Sequence, residues 1–546
     1  MAKRMMVITL IVLGIALFLV AGFFLVLFLA PGFQAFGLMY VTKGARLYNS
    51  GEVRILSEME KLGYDSFSGS ITLEVEECPV YIEFSQKYDY IVEYHEDYSG
   101  LTKTDIDYPS MKIERDNLGG AVIKITGFEK WVFENANTKR YVKLLIPISN
   151  VNNLVGSYRT NLTIKSNKSD ISFSRELKEI DDRIPVFNNI NIETNGKVES
   201  DSLIKATTFT YTTDNSIIIE ADNENTIQAS NYNLKSGSGR VTVEKAISGN
   251  LVAETKNYDI KLVSCVNLTA KSEYGSVKCF HDDKRIQVAG MVNIETKAGD
   301  VKLGVVNGAA KNTIQTSSGS VDIQKIKMGS ITTKRGNVRI DSVEDFKIRT
   351  NMGKVVIEEV LEKVDIKTKR GNITLGGEGM TVNNPKVTST LGRIKLLSAS
   401  ETVYIETGRN NVEFTNKDSE HVTIVCGGKL VAKQLTGYTN ITVGKKATIE
   451  FTQITDQTTV IEGKETCEEI IVRALNNSKD DTRYLIEAAS VTRYVDNDNG
   501  TGTFSKLETS KDNLTNKLNG TEPYLKINAK NSVVNVYFKI APSDEQ

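Results

Sequence analysis

The chain of 546 residues has little of what most active sites are built from. Its three histidines, His95, His281 and His421, leave scant material for imidazole catalysis or a multi-histidine metal centre. Five cysteines (Cys78, Cys265, Cys279, Cys426 and Cys467) form an odd set with no CxxC pair. That excludes a disulfide framework and a zinc ribbon, and the unlike repeat positions of Cys265 and Cys279 predict buried free thiols. An excess of one charge is also missing: 67 basic against 68 acidic side chains give nothing that a nucleic acid would recognise. No GxSxG, HExxH or P-loop is present, so no cofactor and no metal are expected. Gly237-Ser238-Gly239 precedes a strand pattern, which excludes a dinucleotide loop. The run from Asp496 to Gly500 resembles the start of a calcium loop but lacks that loop's later glycine and glutamate. Only 8 prolines occur, as suits a chain made of strands, because proline cannot donate to a sheet ladder.

What is present starts with a long apolar run. Met5 to Ala30 carries no charged side chain, and as a helix it would reach roughly 39 Å, beyond the ~30 Å hydrocarbon core. It exceeds the apolar stretch of a cleaved signal and has no clean cleavage site, so it reads as an uncleaved membrane anchor over 5–30. Lys3 and Arg4 place residues 1–4 in the cytoplasm and the bulk of the chain outside the cell membrane. Residues 31–65 read as a juxtamembrane segment, with Phe33 to Tyr40 as an interfacial aromatic anchor.

A repeat organises the middle of the chain. The frame apolar, x, Thr/Ser, x, x, Gly, x, Val/Ile, x, apolar runs from Ile294 to Leu303. It recurs over 314–323, 331–340, 348–357, 366–375 and 387–396. Its glycines are Gly239, Gly275, Gly299, Gly319, Gly336, Gly353, Gly371 and Gly392, with Tyr258 and Asn410 at the same position in their copies. Weaker copies stand upstream, around Gly196 and around Ser169, where serine takes the glycine position. Alternation such as Val338-Arg339-Ile340 puts β-branched side chains inward and charge outward. Glycine is expected to supply a positive φ at the corner, Asn410 being the next best residue there and Tyr258 the awkward one. Threonine before the corner is placed to bond local amides and to stack from coil to coil.

One copy cannot bury its own apolar side, whereas stacked copies ~4.8 Å apart can. The prediction is an all-β fold, a parallel β-solenoid (β-helix) of 17–24-residue coils over 156–450. Roughly fifteen coils would make a rod of about 70 Å. A β-sandwich would instead show turns at the shorter hairpin spacing. Residues 66–155 read as a β-rich N-terminal cap, and 451–546 as a C-terminal cap with loops, a small helical turn and one more coil beginning near Tyr524. Charge is uneven along the chain: residues 51–135 carry 18 acidic and 8 basic side chains, whereas 321–400 carry 15 basic and 9 acidic.

One N-terminal membrane helix, a strand ending in Leu144-Leu145-Ile146-Pro147, and serial T/S-x-x-G-x-V-x-I copies together resemble the putative adhesin family of bacterial envelope proteins. The resemblance covers roughly 66–450 and implies a β-solenoid displayed outside the cytoplasmic membrane. That family has no catalytic motif to transfer, so no functional residue is carried over from it.

The candidate site therefore comes from the frame alone. Lys334-Arg335-Gly336 and Lys369-Arg370-Gly371 repeat one basic corner, and Lys354 and Arg393 lie beside neighbouring corners. These residues are either a solvated edge that discourages edge pairing, or an anion-binding stripe for an acidic envelope or host-surface polymer. The leading function is a non-enzymatic binding or structural protein of the envelope. The alternatives are a polysaccharide-active β-helix enzyme and a polymerising scaffold resembling bactofilins.

Overall fold

The computed structural model describes residues 2–29, 34–35, 38–41, 47–61, 68–85, 89–98, 100–103, 109–127, 133–134, 139–147, 160–174, 184–220, 226–281, 284–285, 288–309, 311–455, 457–478, 482–496, 504–516 and 523–539. The chain divides into two compact units, Met1–Gly237 and Ser238–Gln546. Parallel β-solenoid coils fill both, about 14 turns in all.

The first unit begins with a helix, Ala2–Leu29. Its described side chains between Val7 and Leu25 are mostly solvent-facing, Phe18 being 80% exposed. Among the described residues no helix is long and apolar enough to cross a membrane. Side chains of this helix are described without a break only over 7–23. Of the expected aromatic anchor, Phe33, Phe36 and Gly37 lie outside the described residues, as do residues 497–500 of the calcium-like run.

Parallel stacking starts early, at Ser70–Val75. That strand pairs with Asn161–Ser166, which pairs with Val186–Glu193, then Ile204–Thr213 and Ile227–Ser236. A second row stacks Val80–Ser85, Ile171–Ser174 and Val198–Ser200. At the N-terminal side the direction reverses. Ala121–Thr126 lies parallel to the first strand but is covered antiparallel by Ser110–Arg115. Lys139–Pro147 is likewise parallel to Val80–Ser85 and then bordered antiparallel by Ile91–Tyr98. The hairpin that makes the first reversal turns at Asp116, whose Oδ1 accepts the N–H groups of Leu118 (2.8 Å) and Gly120 (2.6 Å). Gly119 there has φ +85°, a backbone state that favours glycine.

In the second unit successive coils align in register at the corner strands, with bulges such as the one between Val343 and Asp345 further along. Ile294, Ile314, Ile331, Ile348, Ile366, Val387 and Ile405 form one buried file. Across the corner, Val301, Val321, Val338, Val355, Ile373 and Ile394 form a second. These side chains are at most 1% exposed, and burying each contributes roughly 1.5–3 kcal/mol relative to leaving it in water. The stack closes with Leu525–Lys539, which runs parallel to Thr459–Gly463 and Glu469–Ser478. An antiparallel partner, Phe504–Asn516, covers Tyr484–Asp496 beside it. Among the described residues beyond 451 no helix occurs.

The corner glycines correct the reason the sequence suggested. Gly275, Gly299, Gly319, Gly336, Gly353, Gly371 and Gly392 do not have positive φ, and neither does Asn410. Each glycine sits on the backbone of the coil before it: a Cβ on Gly353 would overlap the carbonyl oxygen of Gly336, and one on Gly371 that of Gly353. Glycine is required by close approach between coils, not by the dihedral. Tyr258 causes no departure, since Val241, Ile260 and Val277 remain in register around it.

Threonine acts as expected. Thr316, Thr333, Thr350 and Thr368 are buried, and each Oγ1 accepts the N–H of the glycine three residues on, at 2.9–3.1 Å. Thr296 and Thr316 hydroxyls also meet across coils at 3.4 Å. All five cysteines are free and buried. Burial pushes the Cys265 and Cys279 thiols up to about 12.

Candidate ligand-binding corner

The glycine file of the second unit is flanked by three columns of exposed positions: two and one residues before each glycine, and one after it. Backbone bonds hold these columns together. Lys334 and Arg335 N–H groups donate to the Ser317 carbonyl (3.2 and 3.0 Å), and Met352 N–H donates to that of Lys334 (3.1 Å). Arg370 N–H donates to Asn351 and Leu391 N–H to Lys369, both at 2.8 Å.

A side-chain ladder supports the third column. Asn337 Oδ1 accepts the Lys354 N–H (2.9 Å), Asn372 Oδ1 that of Arg393 (2.9 Å), and Asn411 Oδ1 that of Lys429 (3.0 Å). Asp300 does the same for Ser320, Asp259 for Ser276, and Asp170 for Lys197 in the first unit. Every second coil thus uses a short acceptor to satisfy a corner amide that the strands leave unpaired.

The structure brings the six predicted residues to this corner. All are exposed. Lys334 and Arg335 stand two coils from Lys369 and Arg370, about 9.6 Å along the stack, with Asn351 and Met352 between them. Lys354 and Arg393 lie across the glycine file, also two coils apart. Arg393 is drawn aside by Glu413 at 3.1 Å. Among the described residues, none of the other five forms an ion pair. Lys297 and Lys271, beside earlier corners, are neutralised by Glu273 (3.1 Å) and Glu295 (3.5 Å).

The surrounding faces behave differently. Arg339 pairs with Glu358 (2.7 Å), Lys363 with Asp345 (3.1 Å) and Lys327 with Glu344 (3.9 Å), and Arg349 pairs with Asp365. Charge on the faces is thus partly cancelled by neighbours one coil away, with Lys347 and Lys367 exposed and outside any ion pair among the described residues. At the corner it is not, because the three columns contain no carboxylate from Ser317 to Asn411. Arg409 extends the stripe. It stands where Arg335 and Arg370 do, beside Leu391 in register, and is exposed. The sequence signal for it was available, one residue before Asn410, but was hidden by the loss of glycine from that copy.

The first unit has a cavity of about 580 Å³ lined by residues such as Glu74, Glu76, Lys165 and Asp214. Three of its acids already have partners. Glu74 faces Lys165 at 3.4 Å, Glu76 accepts the Gly127 N–H at 3.1 Å, and Asp214 accepts from Asn195 at 3.4 Å. The basic corner is therefore the better candidate, as its cations other than Arg393 form no ion pair among the described residues.

Comparison with known proteins gives a fold-level likeness. Residues 69–339 match the family described as Toastrack DUF4097. Among solved structures, a putative cell adhesion protein from Clostridium sporogenes aligns with 53% of this chain and 99% of its own, at 10% identity and a TM-score of 0.16. A score that low carries no argument. No curated protein matches.

Proposed function

We propose that the chain is a non-enzymatic, membrane-anchored β-solenoid that stands outside the cytoplasmic membrane and holds an anionic envelope or host-surface polymer on its basic corner. One observation carries the reading: the corner columns contain Lys334, Arg335, Lys354, Lys369, Arg370 and Arg409 with no carboxylate among them, while the adjoining faces supply carboxylates that pair Arg339, Arg349 and Lys363. Cations repeated along a rigid stack suit a ligand with repeated anions, since several weak contacts add through multivalency. The anchor part rests on the uncharged run 5–30, helical over Ala2–Leu29, and on its outward apolar side chains.

The test changes Lys334, Arg335, Lys369 and Arg370 together to Ser. Retention on purified anionic wall polymer should fall, and retention of the unaltered protein should weaken steeply as salt passes ~0.15 M, where screening sets in beyond about 8 Å. Retention unaffected by both changes would remove the stripe as a binding site.

A further inference from the structure

The column one residue before the glycines alternates. It reads Arg335, Met352, Arg370, Leu391, Arg409 on five consecutive coils, cation and apolar side chain in turn. Met352 is 49% and Leu391 36% exposed, so the apolar members face solvent like the arginines. Beside it, the column two residues before the glycines alternates in step, with Lys334 and Lys369 separated by Asn351 and followed by Thr390. On this side of the glycine file cationic rungs therefore recur every second coil, about 9.6 Å apart, and each intervening rung presents an aliphatic side chain next to a small hydrogen-bonding one, its cation (Lys354 or Arg393) lying across the file.

We infer that the polymer held here is an extended acidic glycan with its charged group on every second sugar. This rests on the binding reading above and specifies its ligand. An extended β-linked glycan advances by nearly the same step per sugar as a β-stack does per coil, so successive sugars meet successive corners. The charged sugars then face the Lys-Arg rungs. A guanidinium holds a carboxylate through paired N–H donors, which fixes register as well as attraction.

The uncharged sugars meet Met352 and Leu391. A pyranose has an apolar C–H face that covers such side chains, while its hydroxyls reach Asn351 and Thr390. A polyphosphate chain has no apolar face for these positions. A lipid surface would engage a plane of charge, whereas the columns offer a narrow line bordered by the ion-paired Arg339, Arg349 and Lys363.

The experiment uses the full-length protein in detergent micelles and five probes: a hyaluronan hexasaccharide (carboxylate on alternate sugars), a hexagalacturonate (carboxylate on every sugar), neutral cellohexaose, poly(glycerol phosphate) and phosphatidylserine vesicles. At about 0.15 M salt the hyaluronan hexasaccharide should bind about tenfold more tightly than hexagalacturonate despite its lower charge. Met352→Gln with Leu391→Gln should weaken the hyaluronan complex about fivefold, leaving poly(glycerol phosphate) binding and thermal unfolding unchanged. Affinity that simply follows total charge, with the double Gln variant silent, overturns the glycan and leaves the anionic-polymer reading intact. Stronger binding to phosphatidylserine vesicles than to every glycan does the same. Failure to bind any of these polyanions, together with a silent four-residue Ser variant, overturns both readings.

Discussion

Gly353 lies directly over Gly336, its α-carbon so near the lower residue's carbonyl oxygen that a β-carbon would overlap it. The same residue donates its N–H to Thr350 Oγ1 at 3.1 Å. Two demands meet on one position: no side chain, and an amide that must point inward to a buried hydroxyl.

Gly353→Ala should consequently unfold the second unit more easily by about 3 kcal/mol or more, because backbone of the adjacent coil must move. Lys354→Gln, one residue away and exposed, should stay within about 0.5 kcal/mol. Urea midpoints of the two variants check this, and equal losses would contradict the close approach.

Thr350→Val keeps the shape of the side chain but leaves the Gly353 N–H without its acceptor, at an expected loss of about 1–3 kcal/mol. Thr350→Ser should recover most of that. Amide exchange at Gly353 should accelerate in the valine variant and remain slow in the serine one.

The Cys265 and Cys279 thiols are raised from 9.0 to about 12 by burial. Between these values the unfolded chain has released protons that the folded chain retains, so stability falls as pH rises through this window and is fully present below pH 9. Cys265→Ala with Cys279→Ala should make the decline in urea midpoint between pH 9 and 11 shallower. In the native wild-type protein both thiols should resist an alkylating reagent at pH 8.

The topology half of the proposal has its own check. Protease added to intact spheroplasts should digest the chain beyond about residue 45 and leave an anchored stub. Protection until lysis would place the large domain in the cytoplasm.

Much of this was legible because the solenoid repeats its chemistry in sequence. Ile348, Thr350, Gly353, Val355 and Ile357 each have counterparts in neighbouring copies, and inward positions, register and hydroxyl bonds all follow from that frame. The reason for the glycines was not legible. Close approach between coils is a contact between residues some 17 apart, whereas φ is the local property that glycine usually signals. The bond from Asn372 to the Arg393 amide was hidden for the same reason, though the recurrent Asn or Asp after the corner was in plain view. The cap over 66–155 read as β-rich, but alternation carries no direction, so the antiparallel placement of Ser110–Arg115 could not be read from it.

The two-coil alternation of Arg335, Met352, Arg370, Leu391 and Arg409 bears on how such a chain can change in length. A coil such as 336–352 can be excised without breaking the hydrophobic files, since its isoleucine, valine and threonine match those of its neighbours in register. Removing the 17 residues from Gly336 to Met352 would rejoin compatible ends, yet it would set Arg335 against Arg370 with no aliphatic rung between them. Removing two coils together would preserve both the stacking and the order of rungs. The smallest duplication or deletion that leaves the corner's pattern intact, its alternate Asn and Asp acceptors included, is thus a pair of coils.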